Sequence, residues 1–115
     1  MKKEERTMEE INDALCRLGG TRNYMCFACT AYALWLIRRE PERLSLVTKW
    51  LYPDVAKQFG TNWKAVERNI RSMVEIVWRC NSVLLEQMAR HPLKEKPRAS
   101  EFLAIVSGAL EQINR

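Results

Sequence analysis

Apolar residues recur along this chain at three- and four-residue intervals, and strict alternation is nowhere convincing. Met8, Ile11, Leu15 and Leu18 keep helical spacing, with Ala14 beside them. Thr7 followed by Glu10 has the form of a capping box and predicts a helix start at Thr7. Gly19-Gly20 predicts its end. A second helix is predicted from Thr21 or Asn23 to Arg39, with Tyr24, Phe27, Ala28, Ala31, Leu34 and Trp35 as its apolar stripe. Pro41 suits the first turn of a third helix that turns Leu44, Val47 and Leu51 to one face, and Pro53 ends that helix or bends the path after it. A short helix over Asp54–Phe59 follows, then Gly60, then a longer helix capped by Thr61 and running to about Arg79. Another short helix covers about Ser82 to Ala89. Residues 90–99 read as a loop with two prolines, and Ser100 is the expected cap of a last helix that buries Phe102, Leu103, Val106 and Leu110. The pattern predicts an all-α single domain of six to seven helices, without repeats or low-complexity segments.

Residues 54–79 have the outline of a helix-turn-helix: a short helix, a tight Gly60-Thr61 turn, and a long amphipathic helix. On the long helix, Val66, Ile70, Met73, Val74, Val77 and Trp78 lie on one side. Lys64, Glu67, Arg68 and Arg71 lie on the other, at i, i+3, i+4 and i+7. A major groove admits one helix, and the first turns of that helix meet base edges. The arginine fork matches two guanine acceptors at once; a glutamate accepts from the cytosine amino group and holds a neighbouring arginine. The polar face is therefore the candidate base-reading face. An ordinary solvated surface helix would show the same charges.

Charge sharpens this picture. The chain of 115 residues carries a net +5. Residues 49–79 hold a net +3 and residues 90–98 another +3, so the rest is slightly acidic. A basic surplus confined to two segments suggests a polyanion footprint. The expected phosphate contacts are Lys57, Thr61, Asn62, Ser72, Lys94, Lys96 and Arg98. The hydrophobic fraction of 47% and charged fraction of 29% exclude a disordered chain, and 4 glycines with 4 prolines argue against a turn-rich β fold. The longest uncharged run, Asn23 to Ile37, is too short and polar to span a bilayer, and MKKEERTMEE does not open a secretory signal. A cytoplasmic protein with four free thiols is expected.

Three stretches make the sequence familiar: LYPDVAKQFGT (51–61), VERNIRSMVEIVW (66–78) and KPRASEFLAIV (96–106). Together they resemble the C-terminal DNA-binding effector domain of the sporulation-initiation master regulator (stage zero sporulation protein A) family of spore-forming Firmicutes. The resemblance runs from Ile11 to Ile113 and is strongest over 47–78 and around Ser100-Glu101-Phe102. It implies an all-helical domain with an embedded helix-turn-helix that binds double-stranded promoter DNA, regulates transcription, and turns Glu67, Arg68 and Arg71 toward it. There are departures. The family typically has Ser then Arg where this chain has Lys64 then Ala65, which moves a positive charge about 100° around the helix. Trp63 replaces a small residue, Asn69 replaces Ala, and the loop before KPRASEF is shorter. The family's phosphoacceptor receiver has no room in 115 residues, and the metal binding associated with that receiver is not carried over.

The other constellations carry less. Cys26 and Cys29 share a helix face, but Cys16, Cys80 and His91 are scattered, so core thiols are expected rather than a metal site. His91 is expected to be exposed. The four tryptophans read as mostly core; Trp63 is the exception, in the first turn of the reading helix, and is expected to pack on the preceding helix rather than touch a sugar. No catalytic pair, phosphate loop or nucleophile-and-base set appears, so neither enzyme activity, cofactor nor small-molecule substrate is expected. An alternative function is a protein-interaction module that keeps the fold and pairs with the full regulator or with RNA polymerase. Val83, Leu84, Met88 and Leu110 are the candidate contacts for a weak homodimer on DNA; completing the core is the competing use of the same residues.

Overall fold

The computed structural model describes residues 2–113, and they form helices without a strand. The order is α1 (Lys2–Arg17), α2 (Met25–Arg39), a 3-10 turn (Pro41–Leu46), α3 (Val47–Trp50), α4 (Tyr52–Phe59), α5 (Trp63–Ala89) and α6 (Ala99–Ile113). The all-α expectation holds. α2 is central: Cys26, Phe27, Cys29, Thr30, Ala31, Ala33, Leu34, Leu36 and Ile37 are buried, which is more than one stripe. A helix apolar nearly all round must be covered on several sides, and α1, α4, α5 and α6 all pack on it. Its Thr30 hydroxyl, fully buried, donates to the Cys26 carbonyl at 2.7 Å and so is not left unsatisfied.

Several boundaries differ from the sequence reading. α1 starts at Lys2, so Thr7 lies inside the helix and is not its cap. The third helix is two pieces, because Leu46 leaves helical backbone angles (φ −156°, ψ 79°) between the 3-10 turn and α3. Pro53 opens α4 rather than ending what precedes it, since its missing N–H costs nothing in a first turn. Arg43 holds this junction. Its guanidinium donates to Glu40 Oε1 at 2.7 Å, to the Trp50 carbonyl at 2.5 Å and to Asp54 Oδ2 at 2.6 Å. The long helix and the short one after it are continuous through a break at Asn81 (φ −157°, ψ 57°). Asn81 Oδ1 accepts from the Leu84 N–H at 3.2 Å, capping the second part, while Nδ2 donates to the Arg17 carbonyl at 2.9 Å, at the end of α1. Ser100 does not cap α6. The helix begins one residue earlier, and Glu101 Oε1 accepts from the Arg98 N–H at 3.0 Å instead.

The tryptophans are the plainest correction: none is buried. Trp50 is 53% exposed, because α3 has only one turn and Leu51 takes the inward position. Trp35 and Trp78 lie only part-buried against the core. Trp35 lays its outer surface against Tyr32 (ring centroids 5.7 Å apart) and the Arg39 guanidinium (4.8 Å). Leu110 is buried at 5% exposure and completes the core, so it is unavailable to a dimer; Val83 is exposed, and Leu84 and Met88 are half-buried.

Two glycines are required for opposite reasons. Gly19 (φ +113°) passes so close to α5 that a Cβ there would lie 2.6 Å from Cys80 Cβ. Gly60 (φ +63°) has open space, and only its left-handed backbone excludes other residues. Gly19→Ala is therefore expected to cost about 2–4 kcal/mol, strain and overpacking together. Gly60→Ala should cost only about 1 kcal/mol, and Gly60→Asn less, because Asn enters that region readily. Urea melts of the three variants check this; equal losses at both positions would contradict the close approach.

Candidate nucleic-acid interface

α4 ends in a Schellman turn. The Thr61 N–H reaches the Ala56 carbonyl at 2.9 Å and the Gly60 N–H the Lys57 carbonyl at 3.4 Å, with Gly60 left-handed between them. The cap of α5 is Asn62, not Thr61: its Oδ1 accepts from the Ala65 N–H at 2.9 Å. These two devices fit the turn between α4 and α5 into three residues. The buried stripe of α5 (Val66, Ile70, Met73, Val74, Val77) is seated against α2 and α6 and sets its rotation. The opposite face then follows. Lys64, Arg68 and Arg71 are exposed and Glu67 is half-buried.

A groove of about 880 Å³ runs along this face. One wall is α5, with Glu67, Arg68, Arg71, Ser72 and Glu75. The other is the end of the loop and the first turn of α6, with Lys96, Pro97, Arg98, Ala99 and Ser100; Val47, Thr48 and Tyr52 also line it. A smaller groove adjoins it, sharing Lys96, Pro97 and Arg98, and extends through Lys94 to His91, which is exposed. The structure thus brings Glu67, Arg68, Arg71, Ser72, Lys96 and Arg98 together, and joins Lys94 to them at one end. Lys57, Thr61, Asn62 and Lys64 are exposed but do not line the groove. Trp63 is 39% exposed, with the Lys64 ammonium 5.9 Å from its ring centre.

The charged groups differ in how they are held. Arg68 and Arg71 make no ion pair with a described residue, and neither does Lys94. Lys96 pairs with Glu75 across the groove, and Arg98 sits 3.9 Å from Glu101. Ser72 Oγ donates back to the Arg68 carbonyl at 3.1 Å. Tyr52 is buried, and burial together with the nearby Glu67 carboxylate pushes its phenol up to about 12. Thr48, Tyr52, Glu75 and Ser100 line the groove although sequence reasoning assigns none of them to the site. Thr48 comes from the segment before the helix-turn-helix and Tyr52 opens α4, and nothing in local spacing announces their place in the groove.

The thiols behave as packing groups. Cys26 and Cys29 are buried, and burial with the adjacent Cys26 pushes Cys29 up to about 11. Among the described residues no group of three or more His, Cys, Asp or Glu side chains could hold a metal ion, and no helix is long and apolar enough to cross a membrane.

The sequence model of the family described as sporulation initiation factor Spo0A, C terminal, matches residues 11–110. The chain belongs to that family, whose members are DNA-binding effector domains of a sporulation response regulator.

Both raised groups make the fold sensitive to alkali. In the unfolded chain Cys29 and Tyr52 ionise near their ordinary values of 9.0 and 10.0, whereas the fold keeps them neutral to about 11 and 12. Their contribution is complete below pH 9 and is lost as pH climbs toward 12. Unfolding free energy should fall over that window, and Tyr52→Phe should flatten its upper half. A profile level from pH 8 to 11 would count against both assignments. Native protein should also expose only Cys16 and Cys80 to a thiol reagent, with Cys26 and Cys29 reacting on unfolding.

Proposed function

We propose that this member of the sporulation initiation factor Spo0A C-terminal family regulates transcription by reading duplex promoter DNA with α4 and α5 as a helix-turn-helix. The first half of α5, about residues 62–79, enters the major groove. Glu67, Arg68 and Arg71 meet base edges, and Lys64 stands at the margin of that face, one turn before Arg68. Lys94, Lys96 and Arg98 lie over flanking phosphates, joined by the N-terminal turn of α6, whose N–H groups carry partial positive charge. Lys57, Thr61, Asn62 and Ser72 are lesser backbone contacts; Asn62 has its oxygen committed to the helix cap and offers only its amide N–H groups. The observation that carries this reading is the single groove joining Arg68 and Arg71 to Lys96 and Arg98, two segments 25 or more residues apart in sequence. A basic patch assembled from both charge-rich segments is what a duplex needs: bases on one wall, backbone on the other.

Copies side by side on adjacent sites would use Val83, the exposed apolar residue of the second part of α5, with Leu84 and Met88 beneath it. Such contacts predict weak binding to one site and tighter binding to two sites spaced near a whole turn.

Binding should weaken steeply with salt, with a log–log slope of magnitude about 3 or more, at ~0.9 per phosphate contact. Arg68→Ala and Arg71→Ala should each lose about 1–3 kcal/mol on a selected duplex and much less on random duplex. Lys94→Ala should weaken both alike. Fluorescence anisotropy at several salt concentrations provides the measurement. A flat salt response would end the DNA reading, and equal losses on both duplexes would end base contact by the two arginines.

A further inference from the structure

Glu75 is an acid where a DNA-facing groove calls for cations. It lies four residues beyond Arg71 on α5, so the two share one row of the helix and one wall of the groove. Of the charged residues lining that groove, Arg68, Arg71, Lys96 and Arg98 are basic and only Glu67 and Glu75 are acidic. Glu67 is half-buried beside Tyr52, whereas Glu75 is exposed. A carboxylate in that position faces incoming phosphate and repels it. Yet it does not stand alone, for Lys96 reaches over from the opposite wall and pairs with it. Lys96 is thereby the one groove cation held by an acid of the groove itself; Arg98 leans on Glu101, which lies outside. Both partners keep side-chain exposures of 41% and 54%, so the pair is open to a competing anion.

We propose that Glu75 is an internal competitor for phosphate: it holds Lys96 across the groove in the free protein, and the duplex must take Lys96 from it. This rests on the DNA reading above. An exposed ion pair is weak and is broken at small cost, so a phosphate at the groove wall captures the Lys96 ammonium. Glu75 is then left unpaired beside a polyanion. Every duplex meets this opposition whatever its sequence, because neither Glu75 nor Lys96 touches a base. The pair therefore holds down backbone-driven binding and leaves discrimination to Arg68, Arg71 and Glu67. It also sets Lys96 apart from Lys94, which has no acid to leave.

The test is a double-mutant cycle on the whole chain, with a selected duplex and a random duplex of equal length as probes. E75Q should bind both duplexes about two- to fivefold more tightly, the range set by the weakness of an exposed pair. K96Q should weaken both. In the K96Q background, adding E75Q should recover less than half of that gain on a logarithmic scale, because no captive lysine remains to be freed. Weaker binding by E75Q would mean that the pair braces the loop for DNA, and an equal gain in both backgrounds would mean that Glu75 acts as an isolated charge. Either result overturns the proposal. The Arg68→Ala variant separates this from the reading beneath it. If wild type binds and Arg68→Ala weakens it while E75Q does not tighten it, only the competition is wrong. If wild type binds neither duplex, the DNA reading fails and the competition with it.

Discussion

The rotation of α5 about its own axis is the constraint on which the rest depends. Val66, Ile70, Met73, Val74 and Val77 are all essentially without solvent exposure, pressed against α2 and α6. At 3.6 residues per turn, seating those five residues leaves no freedom for the ones between them. Arg68 and Arg71 must point outward, and Glu67 must lie at the edge, where Tyr52 meets it. A polar-for-apolar exchange in the stripe would therefore do more than loosen the core. It would turn the reading face. In this fold the core is the alignment device for the groove.

Three joints carry that alignment outward. Arg43 ties the 3-10 turn to the start of α4 through Asp54 and the Trp50 carbonyl, and so places Thr48 and Tyr52 at the groove. Asn81 breaks α5 after the reading segment and fastens the break to the end of α1. Gly19 permits that fastening, since any side chain there would push Cys80 away. The second part of α5 then leads into the loop, where Glu86 Oε2 accepts from the Leu93 N–H at 2.8 Å and steadies the approach to Lys94 and Lys96. The two walls of the groove are thus set by contacts distant from it.

Long periodic stretches of the sequence were legible for a physical reason: burial of a helix face imposes its period on the residues directly. The stripe of α5, the inward row Phe102, Leu103, Val106 and Leu110, and the Gly60 turn were all readable in that way. The pattern places the caps one residue early at Thr61 and two residues late at Ser100, because a hydroxyl is only one way to satisfy the N–H groups at a helix start. Here Asn62 and Glu101 reach those groups instead. Thr7 misled for the same reason, as a capping pair can also sit inside a longer helix. The tryptophans were misjudged because periodicity gives a direction and not a depth. Trp50 points from a single turn of helix with too little neighbouring structure to cover it. What no local pattern could reveal was the far wall of the groove. The pairing of Glu75 with Lys96 spans a kink, a helix and a loop, and is a property of the tertiary fold alone.

The two groove acids show how position on one helix assigns opposite roles to one chemistry. Glu67 lies in the first turns of α5, half-buried and near Tyr52. On the proposed DNA reading it accepts from a base amino group there. Glu75 lies two turns later on the same wall of the groove. It is exposed, and the group that answers it is the Lys96 ammonium. On the proposed reading an acid at that place opposes phosphate and does not read sequence. A basic groove with no acid in it would gain affinity for any polyanion. On the proposed reading, one acid directed at bases and another directed at backbone shift the balance toward sequence without altering the fold that holds them.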